Sequence, residues 1–306
     1  MPLFSIIIPL YNKQNYIAAT LQSVLDQTFS DFEILVINDA STDNSLAVAQ
    51  EFNDSRIKII NHPINKGLPA SRNTGIDNAG ARYLAFLDAD DIWKPQYLEK
   101  IHELIINYPE ASLFATKYVE IYNNSTPIEL SHQVETGMLD NFFVQNSIKS
   151  IYCPSSLCIE KVVFEKVGYY KDIYFGEDID LNIRIHLAFK MAYLNESLVR
   201  YNFHSENQIT HASMAGKSRI DFDYYENAYP ENLSLKKYLD FHRYSMAKRY
   251  RRSGDFKTYK ELLSKIDLRN LNKKQIILLY SPPFILQFII KLKAFFHKKG
   301  INPTAD

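Results

Sequence analysis

Three carboxylates lie close together at Asp88, Asp90 and Asp91, directly after the apolar run YLAFL. Clustered carboxylates repel one another and are costly to bury, so a counterion is expected beside them. Their oxygens suit a hard divalent cation, Mg²⁺ or Mn²⁺, as that counterion. Such an ion also binds nucleotide phosphates and offsets the charge of a leaving diphosphate. An isolated Asp-x-Asp is common in solvated loops, and the preceding apolar run is what favours a metal site here.

A second acidic cluster, formed by Glu177, Asp178 and Asp180, opens a segment with helical periodicity. Like charges at this spacing raise the pKa of a carboxyl group, which makes it a better general base. A positioned carboxylate can take the proton of a hydroxyl group during its attack. The alternative is an acidic first turn that the helix dipole favours, and we assign Asp180 to that role.

The elements that must position these acids alternate between short apolar runs and amphipathic segments. Repeated strand–helix–strand units imply a largely parallel sheet with right-handed crossovers, hence an α/β fold. Strands are predicted at Phe4–Pro9, Phe32–Ile37, Arg56–Ile60 and Tyr83–Leu87. Asn15 is predicted to cap the first helix between them, and Ser41 or Thr42, followed by Asp43, is predicted to cap the second. The third helix is predicted over Leu68–Ala79 and ends before Gly80.

Polar residues follow these strands where such a sheet binds ligands, beyond the carboxyl ends of its strands. Tyr11 and Asn12 follow the first strand, Asp39 follows the second, and Asp88 follows the fourth. Each is an ordinary loop residue when taken alone. Their shared position at one edge of the sheet predicts a single site.

Composition places few further constraints on the 306-residue chain, which is long enough for one large domain or for a domain with an appendage. Two cysteines, Cys153 and Cys158, are too few for a disulfide framework and are predicted to be plain buried residues in a reducing compartment. The N-terminus reads MPLFSIIIPLYNKQNY, which lacks a basic segment and a long apolar run. It therefore predicts a first strand and not a signal peptide.

The zero net charge hides a strongly basic C-terminal part. Residues 235–299 carry 17 Lys and Arg against 4 Asp and Glu, a surplus of 13 positive charges. This pattern predicts a helical extension over residues 231–306, with a helix pair that turns at Ser253–Gly254. An apolar run at Phe284–Phe296 is too short to span a membrane. We expect it to lie on an anionic membrane surface, the alternative being a helix packed on the preceding domain.

Three blocks of the sequence resemble the family 2 glycosyltransferases, which have the GT-A fold. The first is SIIIPLYNKQNYIAATLQSVLDQTFSDFEILVINDASTDNS, and NKGLPASRNTGIDNAGARYLAFLDADDIW continues it. The third is SSLCIEKVVFEKVGYYKDIYFGEDIDLNIRI, and the family's order is kept over about residues 3–210. The resemblance implies a GT-A catalytic domain at residues 1–230, with a Rossmann-like, mostly parallel sheet.

The resemblance also implies roles for single residues. Asp39 matches the acid that binds the nucleotide base, usually uracil, and Asp178 matches the catalytic base of an inverting transfer. Asp90 matches the direct metal ligand, and Asp88 lies nearer the ribose. The remaining matches are nucleotide-sugar-binding positions, namely Pro9, Tyr11, Asn12, Lys66, Arg72 and Ala89.

The acceptor side is less clearly defined by the sequence. Glu177 is assigned there beside Asp178, and Trp93 either stacks on a sugar or packs in the core. His204 in YNFHSENQIT resembles a histidine that some relatives place near the metal, the alternative being a structural or surface residue. The family often has two glycines before an aromatic residue where this chain has Gly168-Tyr169-Tyr170, so the acceptor side is expected to differ in shape.

These features predict a Mn²⁺- or Mg²⁺-dependent hexosyltransferase that uses a UDP-sugar and inverts the anomeric carbon. The expected acceptor is a lipid-linked or surface-polysaccharide precursor on the cytoplasmic face of a bacterial membrane. One alternative is a metal-dependent nucleotidyltransferase, but PLYNKQNY lacks the glycines of its phosphate loop. The other is a non-enzymatic, basic nucleic-acid-binding adaptor, which leaves the acidic clusters unexplained, so no nucleic-acid partner is expected.

Overall fold

A computed structural model of the protein describes residues 1–122, 127–129, 134–147, 150–203 and 217–298. One mixed sheet forms its centre, and most of the neighbouring long strands run parallel. The strands are β1 Phe4–Leu10, β2 Phe32–Asn38, β3 Ile57–Asn61, β4 Tyr83–Phe86, β5 Ile92–Trp93, β6 Leu113–Ile121, β7 Ile128–Glu129, β8 Gly137–Met138, β9 Leu157–Glu160 and β10 Met191–Asn202. Their order across the sheet is β3-β2-β1-β4-β9-β6-β10-β5, and β9 is antiparallel to both of its neighbours. The predicted α/β class with a mostly parallel sheet is confirmed.

Helices cover both faces of the sheet and continue past its last strand. They are α1 Ile17–Leu25, α2 Ser45–Gln50, α3 Leu68–Asn78, α4 Tyr97–Asn107, α5 Phe142–Gln145, α6 Val162–Val167, α7 Glu177–Ala188, α8 Phe222–Ala228, α9 Leu233–Ser253, α10 Phe256–Leu263, α11 Lys273–Tyr280 and α12 Pro283–Lys298. The predicted turn between two basic helices is confirmed, because α9 ends at Gly254 in the left-handed conformation.

The first four predicted strands are found within one residue of their expected bounds, but two predicted helix caps are wrong. The first helix follows Tyr16, and Asn15 does not cap it. The second follows Asn44, and Asp43 accepts hydrogen bonds from the backbone and hydroxyl of Ser45. The short polar residues before this helix instead bind the neighbouring loop, which local propensity does not reveal.

Alternate residues of the central strand β1 point into two hydrophobic layers. Ile7 joins the layer that contains α3, α7 and α9, whereas Ile6 and Ile8 join the layer of α1 and α4. All seven residues of β1 are buried, as a strand covered on both faces requires. Cys153 and Cys158 are buried free thiols, as predicted.

The helices after residue 230 share the first of these layers with the sheet. Leu235, Tyr238 and Leu239 of α9 are fully buried in it, together with Leu279 of α11. The domain boundary at residue 230 therefore stays a prediction. One hydrophobic layer contains buried residues from both sides of it.

Part of the basic surplus is neutralised inside this helical part of the chain. Arg243 is completely buried and forms ion pairs with Asp223, Glu226 and Asp240. Lys236 pairs with the last two of these acids. A buried cation persists when it is paired in this way, so these charges hold α9 against α8 and are not a free basic surface.

The last helix packs on α9 through one face and exposes another. Leu286 is buried, whereas five large apolar side chains are exposed, namely Phe284, Phe288, Ile290, Leu292 and Phe295. Within the described ranges no helix combines the length and the apolar character that crossing a bilayer requires.

Candidate active site

A cleft of about 810 Å³ opens at the carboxyl edge of the parallel strands, where the sequence placed the site. Most of the predicted site residues line it, which brings together positions up to 169 residues apart in the chain. These residues are Pro9, Tyr11, Asp39, Arg72, Asp88, Ala89, Asp90, Glu177 and Asp178. Asp39 follows β2, Asp88 and Asp90 follow β4, and Glu177 and Asp178 begin α7.

Asp39 is a buried carboxylate that the surrounding loop holds in one orientation. Its Oδ1 accepts from His62 Nδ1 at 2.7 Å and from the Lys66 backbone N–H at 2.8 Å. Its Oδ2 accepts from the Gly67 N–H at 2.8 Å. Because a carboxylate oxygen can accept two hydrogen bonds, Oδ2 keeps a lone pair for a ligand in the cleft.

Arg72 is a buried cation between the two acidic clusters. Its Nη2 donates to Asp88 Oδ1 at 3.0 Å, and its Nη1 lies 3.7 Å from Glu177 Oε1. The guanidinium also lies over the ring of Tyr170, 5.2 Å from its centroid. Its Nε and Nη1 have no hydrogen-bond partner among the described residues. Unpaired guanidinium donors at a cleft wall can bind an anionic oxygen of a ligand.

The third acid of the motif has a structural role. Asp91 is buried, and it accepts from the hydroxyl of Ser155 and from the backbone N–H of Asn202 at 2.8 Å. Burial and the charges of Asp90 and Asp88 raise the pKa of its carboxyl group well above the usual range. The hydroxyl of Thr20 donates to the backbone carbonyls of Ala89 and Asp91 at 3.0 and 2.9 Å. The motif loop is thereby fixed to both α1 and β10.

Asp90 faces the cleft and forms an ion pair with Lys13, whose Nζ lies 2.8 Å from its Oδ2. Lys13 lines the same cleft and follows β1 in the first loop. The sequence-based assignment overlooked Lys13, although the rule that selects polar residues after each strand applies to it as well.

The residues at this edge fit a divalent cation only if the ligand completes its coordination shell. In the described part of the chain, no group of three or more His, Cys, Asp or Glu side chains could hold a metal ion. Asp88 and Asp90 supply carboxylate oxygens, and Mg²⁺ is usually held by one or two carboxylates together with substrate phosphates and waters. The donor set therefore fits an ion that arrives with a diphosphate.

The pKa values of Glu177 and Asp178 are both raised. Burial raises the pKa of each, and the Asp178 charge raises that of Glu177 further, while Arg72 opposes the rise at both positions. Asp178 lies in the first turn of α7, and its Oδ1 accepts from the Ile179 N–H. A half-buried carboxyl group of raised pKa that lines a cleft has the properties of a general base.

Asp180 belongs to the protein interior, in agreement with the structural role assigned to it. It is buried and pairs with Lys171 at 2.9 Å and Arg184 at 2.8 Å, and the Tyr225 hydroxyl donates to it. These partners occupy both of its oxygens, so Asp180 has no free position from which to take a substrate proton.

Three predicted site residues, all of them within the described ranges, do not line the cleft, and a fourth cannot be placed. Asn12 joins two loops, because its side chain bonds Thr42 at the backbone N–H and the hydroxyl. Lys66 contributes its backbone N–H to Asp39, and its side chain is exposed. The sugar-stacking hypothesis for Trp93 is wrong, since the indole is buried, stacks on Tyr97 and donates to the Ser155 carbonyl. His204 lies outside the described residues.

One wall of the cleft comes from α9, which the sequence did not place at the site. The residues concerned are His242, Ser245, Met246 and Arg249. Their i, i+3, i+4 and i+7 spacing puts them on one helix face and was readable from the sequence. The sequence analysis did not use this spacing, because the many basic residues of α9 suggested a charged surface.

Comparisons with known proteins agree with this architecture. A sequence model of the family described as Glycosyl transferase family 2 matches residues 5–168. Glycosyltransferase GlyA of Streptococcus pneumoniae is 29% identical over 97% of this chain and 47% of that protein. The UDP-Glc:alpha-D-GlcNAc-diphosphoundecaprenol beta-1,3-glucosyltransferase WfgD of Escherichia coli is 40% identical over 40% of this chain and 48% of that protein. The matches thus span about half the length of these two relatives.

A solved structure with a similar fold is that of Staphylococcus aureus TarS, residues 1–349, in complex with UDP-GlcNAc. It superposes with a TM-score of 0.67 at 17% identity and covers 99% of this chain and 94% of that chain. The similarity extends through the C-terminal helices, which agrees with their packing on the sheet described above.

Proposed function

The chain belongs to the family 2 glycosyltransferases, and we propose that it transfers a sugar from a UDP-sugar to an acceptor hydroxyl, with inversion at the anomeric carbon. The observation that carries this proposal is that Asp39, Asp88, Asp90 and Asp178 all line one cleft. The named donor and acceptor of WfgD support a UDP-sugar and a lipid-diphosphate-linked or surface-polysaccharide acceptor.

On the donor side, the residues bind and orient the nucleotide. Asp39 Oδ2 accepts the ring N–H of the uracil, and the Gly67 N–H holds that oxygen in place. Arg72 donates its unpaired N–H groups to an oxygen of the donor, while its bond to Asp88 keeps the guanidinium fixed. A preorganised cation of this kind stabilises charge that develops on the leaving UDP.

On the acceptor side, Asp178 takes the proton of the acceptor hydroxyl as its oxygen attacks the anomeric carbon. The bond from that carbon to the diphosphate breaks, and its electron pair leaves with UDP. Attack from the face opposite the leaving group inverts the configuration. The raised pKa makes the Asp178 carboxylate a stronger base toward the proton of the acceptor hydroxyl.

We propose that Asp90, with Asp88, holds Mn²⁺ or Mg²⁺ when the nucleotide-sugar is bound. The ion would supply positive charge to the diphosphate as it leaves. Lys13 then neutralises Asp90 in the absence of donor, which limits the repulsion among the acids of the motif.

Substituting Asp39 tests the base pocket. We expect Asp39→Ala to raise the dissociation constant of UDP about 5- to 150-fold, the effect of leaving a buried donor unpaired at about 1–3 kcal/mol. CDP is the matched probe, because cytosine carries no hydrogen at the equivalent ring nitrogen. The wild-type protein should prefer UDP over CDP in calorimetry, and the variant should lose this preference. If a variant with a normal melting temperature still prefers UDP over CDP, the uracil binds elsewhere.

The exposed apolar face of α12 supports a peripheral membrane site on the cytoplasmic leaflet as a further part of the proposed function. It carries Phe284, Phe288 and Phe295, with Lys291 and Lys293 on the same helix. At about 1.5 Å per residue, this 16-residue helix is about 24 Å long and shorter than the roughly 30 Å hydrocarbon core. An amphipathic helix of this size lies in the interface plane.

We expect the full-length protein to sediment with vesicles that contain phosphatidylglycerol, and to do so less as salt rises. Each lysine near an anionic surface contributes about 1 kcal/mol, which is screened within a Debye length. Replacing Phe284, Phe288 and Phe295 together by Ser should release the protein and leave UDP binding unchanged, because these side chains are exposed. Failure of the wild-type protein to bind such vesicles at low salt would show that α12 has no membrane role.

A further inference from the structure

The cleft face of α9 lies directly against the segment that precedes the proposed base. Gly176 has φ of 89°, and a Cβ there would lie 2.8 Å from Ile220 and 3.3 Å from Met246 of α9. The Arg249 guanidinium lies 5.0 Å from the centroid of the Phe175 ring. The cleft face of α9 therefore lies against the residues that immediately precede Glu177 and Asp178.

His242 lines the cleft and carries a hydrogen-bonding group that no described residue uses. Its Nε2 is buried and has no hydrogen-bond partner in the ranges that the structure describes. The ring packs edge-on against Tyr238, with the centroids 4.3 Å apart. Burial lowers the pKa of His242 to about 3, so the imidazole is neutral near pH 7. A buried nitrogen without a partner is costly, and a ligand hydroxyl would relieve that cost.

Arg249 adds positive charge two turns after His242 on the same face of α9. Burial and the nearby Arg252 both lower the pKa of its guanidinium. A guanidinium remains charged after such a shift, so Arg249 brings a positive charge to the cleft lining. An anion bound beside it would be stabilised by this charge, and a planar guanidinium binds phosphate or carboxylate through two parallel hydrogen bonds.

Resting on the proposed transferase function, we propose that His242, Ser245 and Arg249 form the acceptor subsite, which takes a sugar bearing an anionic group. His242 and Ser245 bind sugar hydroxyls, and Arg249 binds the phosphate or carboxylate. The reacting hydroxyl is then held toward Asp178. This assigns the basic helix a role in acceptor specificity.

Three probes added to UDP-saturated, full-length protein test the subsite: glucose 1-phosphate, glucuronic acid and methyl glucoside. UDP saturation keeps the anions out of the donor site. We expect at least one of the two anions to bind more tightly than the neutral methyl glucoside in titrations followed by NMR. The anion that binds more tightly identifies the group as phosphate or carboxylate. Equal affinity for all three probes, or no binding of either anion, would overturn the proposal.

Variants then separate the residues. Arg249→Met should weaken binding of the preferred anion about 10- to 100-fold, the usual effect of losing charged hydrogen bonds, and Arg249→Lys should restore part of it. His242→Phe keeps the ring and should weaken all probes that bind. Lys248→Met is the matched control, because it removes the same charge from the neighbouring residue, which lies over Tyr244 outside the cleft lining.

Donor chemistry distinguishes failure of this subsite from failure of the proposed function. UDP affinity and acceptor-independent hydrolysis of the UDP-sugar should be unchanged in Arg249→Met and His242→Phe. Normal anion binding by both variants, in a protein that binds and hydrolyses the donor, would refute the subsite alone. A wild-type protein that neither binds UDP nor cleaves a UDP-sugar would refute the transferase function itself.

Discussion

Replacing Asp178 by Asn is expected to cut sugar transfer by roughly 10²–10⁴ while UDP and metal affinities stay near normal. The reason is that Asp178 is a carboxylate in the first turn of α7 that lines the cleft, and an amide cannot act as the base for the hydroxyl proton. Steady-state transfer measured beside UDP titration checks this expectation. Asp172→Asn is the matched control, since Asp172 is exposed and lies six residues earlier in the chain.

The same base predicts a pH dependence. Burial raises the pKa of Asp178, and transfer requires its ionised form, so kcat/KM should rise with pH through a range above that of an ordinary aspartate. This acidic limb should be absent from the residual activity of Asp178→Asn. Near-normal transfer by that variant would assign the base to Glu177, because the oxygens of Asp180 are occupied by Lys171, Arg184 and Tyr225.

Replacing Asp90 by Asn should abolish turnover and weaken Mn²⁺-dependent UDP binding while leaving the fold intact. A bound divalent ion stabilises a leaving diphosphate by several kcal/mol, which corresponds to about 10³-fold or more in rate. The fold should survive because Asn keeps the shape of the Asp90 side chain, and the bonds from Ser155 and Asn202 that hold the loop end on Asp91.

Calorimetry of UDP binding with Mn²⁺ and with EDTA separates the metal from the carboxylate. The wild-type protein should bind UDP more tightly with Mn²⁺, and Asp90→Asn should show little difference between the two conditions. Equal UDP affinity of the wild-type protein in both conditions would eliminate the metal role of Asp90 and Asp88. Lys13 would then be the cation that balances this cluster.

The sequence predicted which residues gather at the carboxyl edge of the parallel strands, because that grouping depends on local rules. Hydrophobic runs located β1, β2 and β4, and the edge of a parallel sheet then collects whatever follows each strand. Asp39 and Asp88 were found in this way, and they line one cleft. Glu177 and Asp178 of α7 line the same cleft; their like charges drew attention to them in the sequence, and the family resemblance singled out Asp178.

The position of Trp93 and the pairing of the C-terminal charges could not be predicted, because both depend on packing between distant segments. Trp93 follows the metal motif in sequence, but the carbonyl of Ser155 and the ring of Tyr97 hold its indole inside the protein. The basic surplus of the C-terminal part suggested an exposed surface, yet Arg243 is buried among acids of α8 and α9. Charge counts along a sequence do not show which charges are paired.

The measurement that tests the central claim most directly is UDP release from a panel of UDP-sugars with Mn²⁺ present, followed by NMR of the sugar product. The cleft predicts that the wild-type protein cleaves one UDP-sugar, that the product has inverted anomeric configuration, and that Asp90→Asn releases no UDP. A product that retains its configuration would contradict the role of Asp178 as base. Absence of binding and cleavage for every UDP-sugar tested would contradict the assignment of the cleft to sugar transfer from UDP.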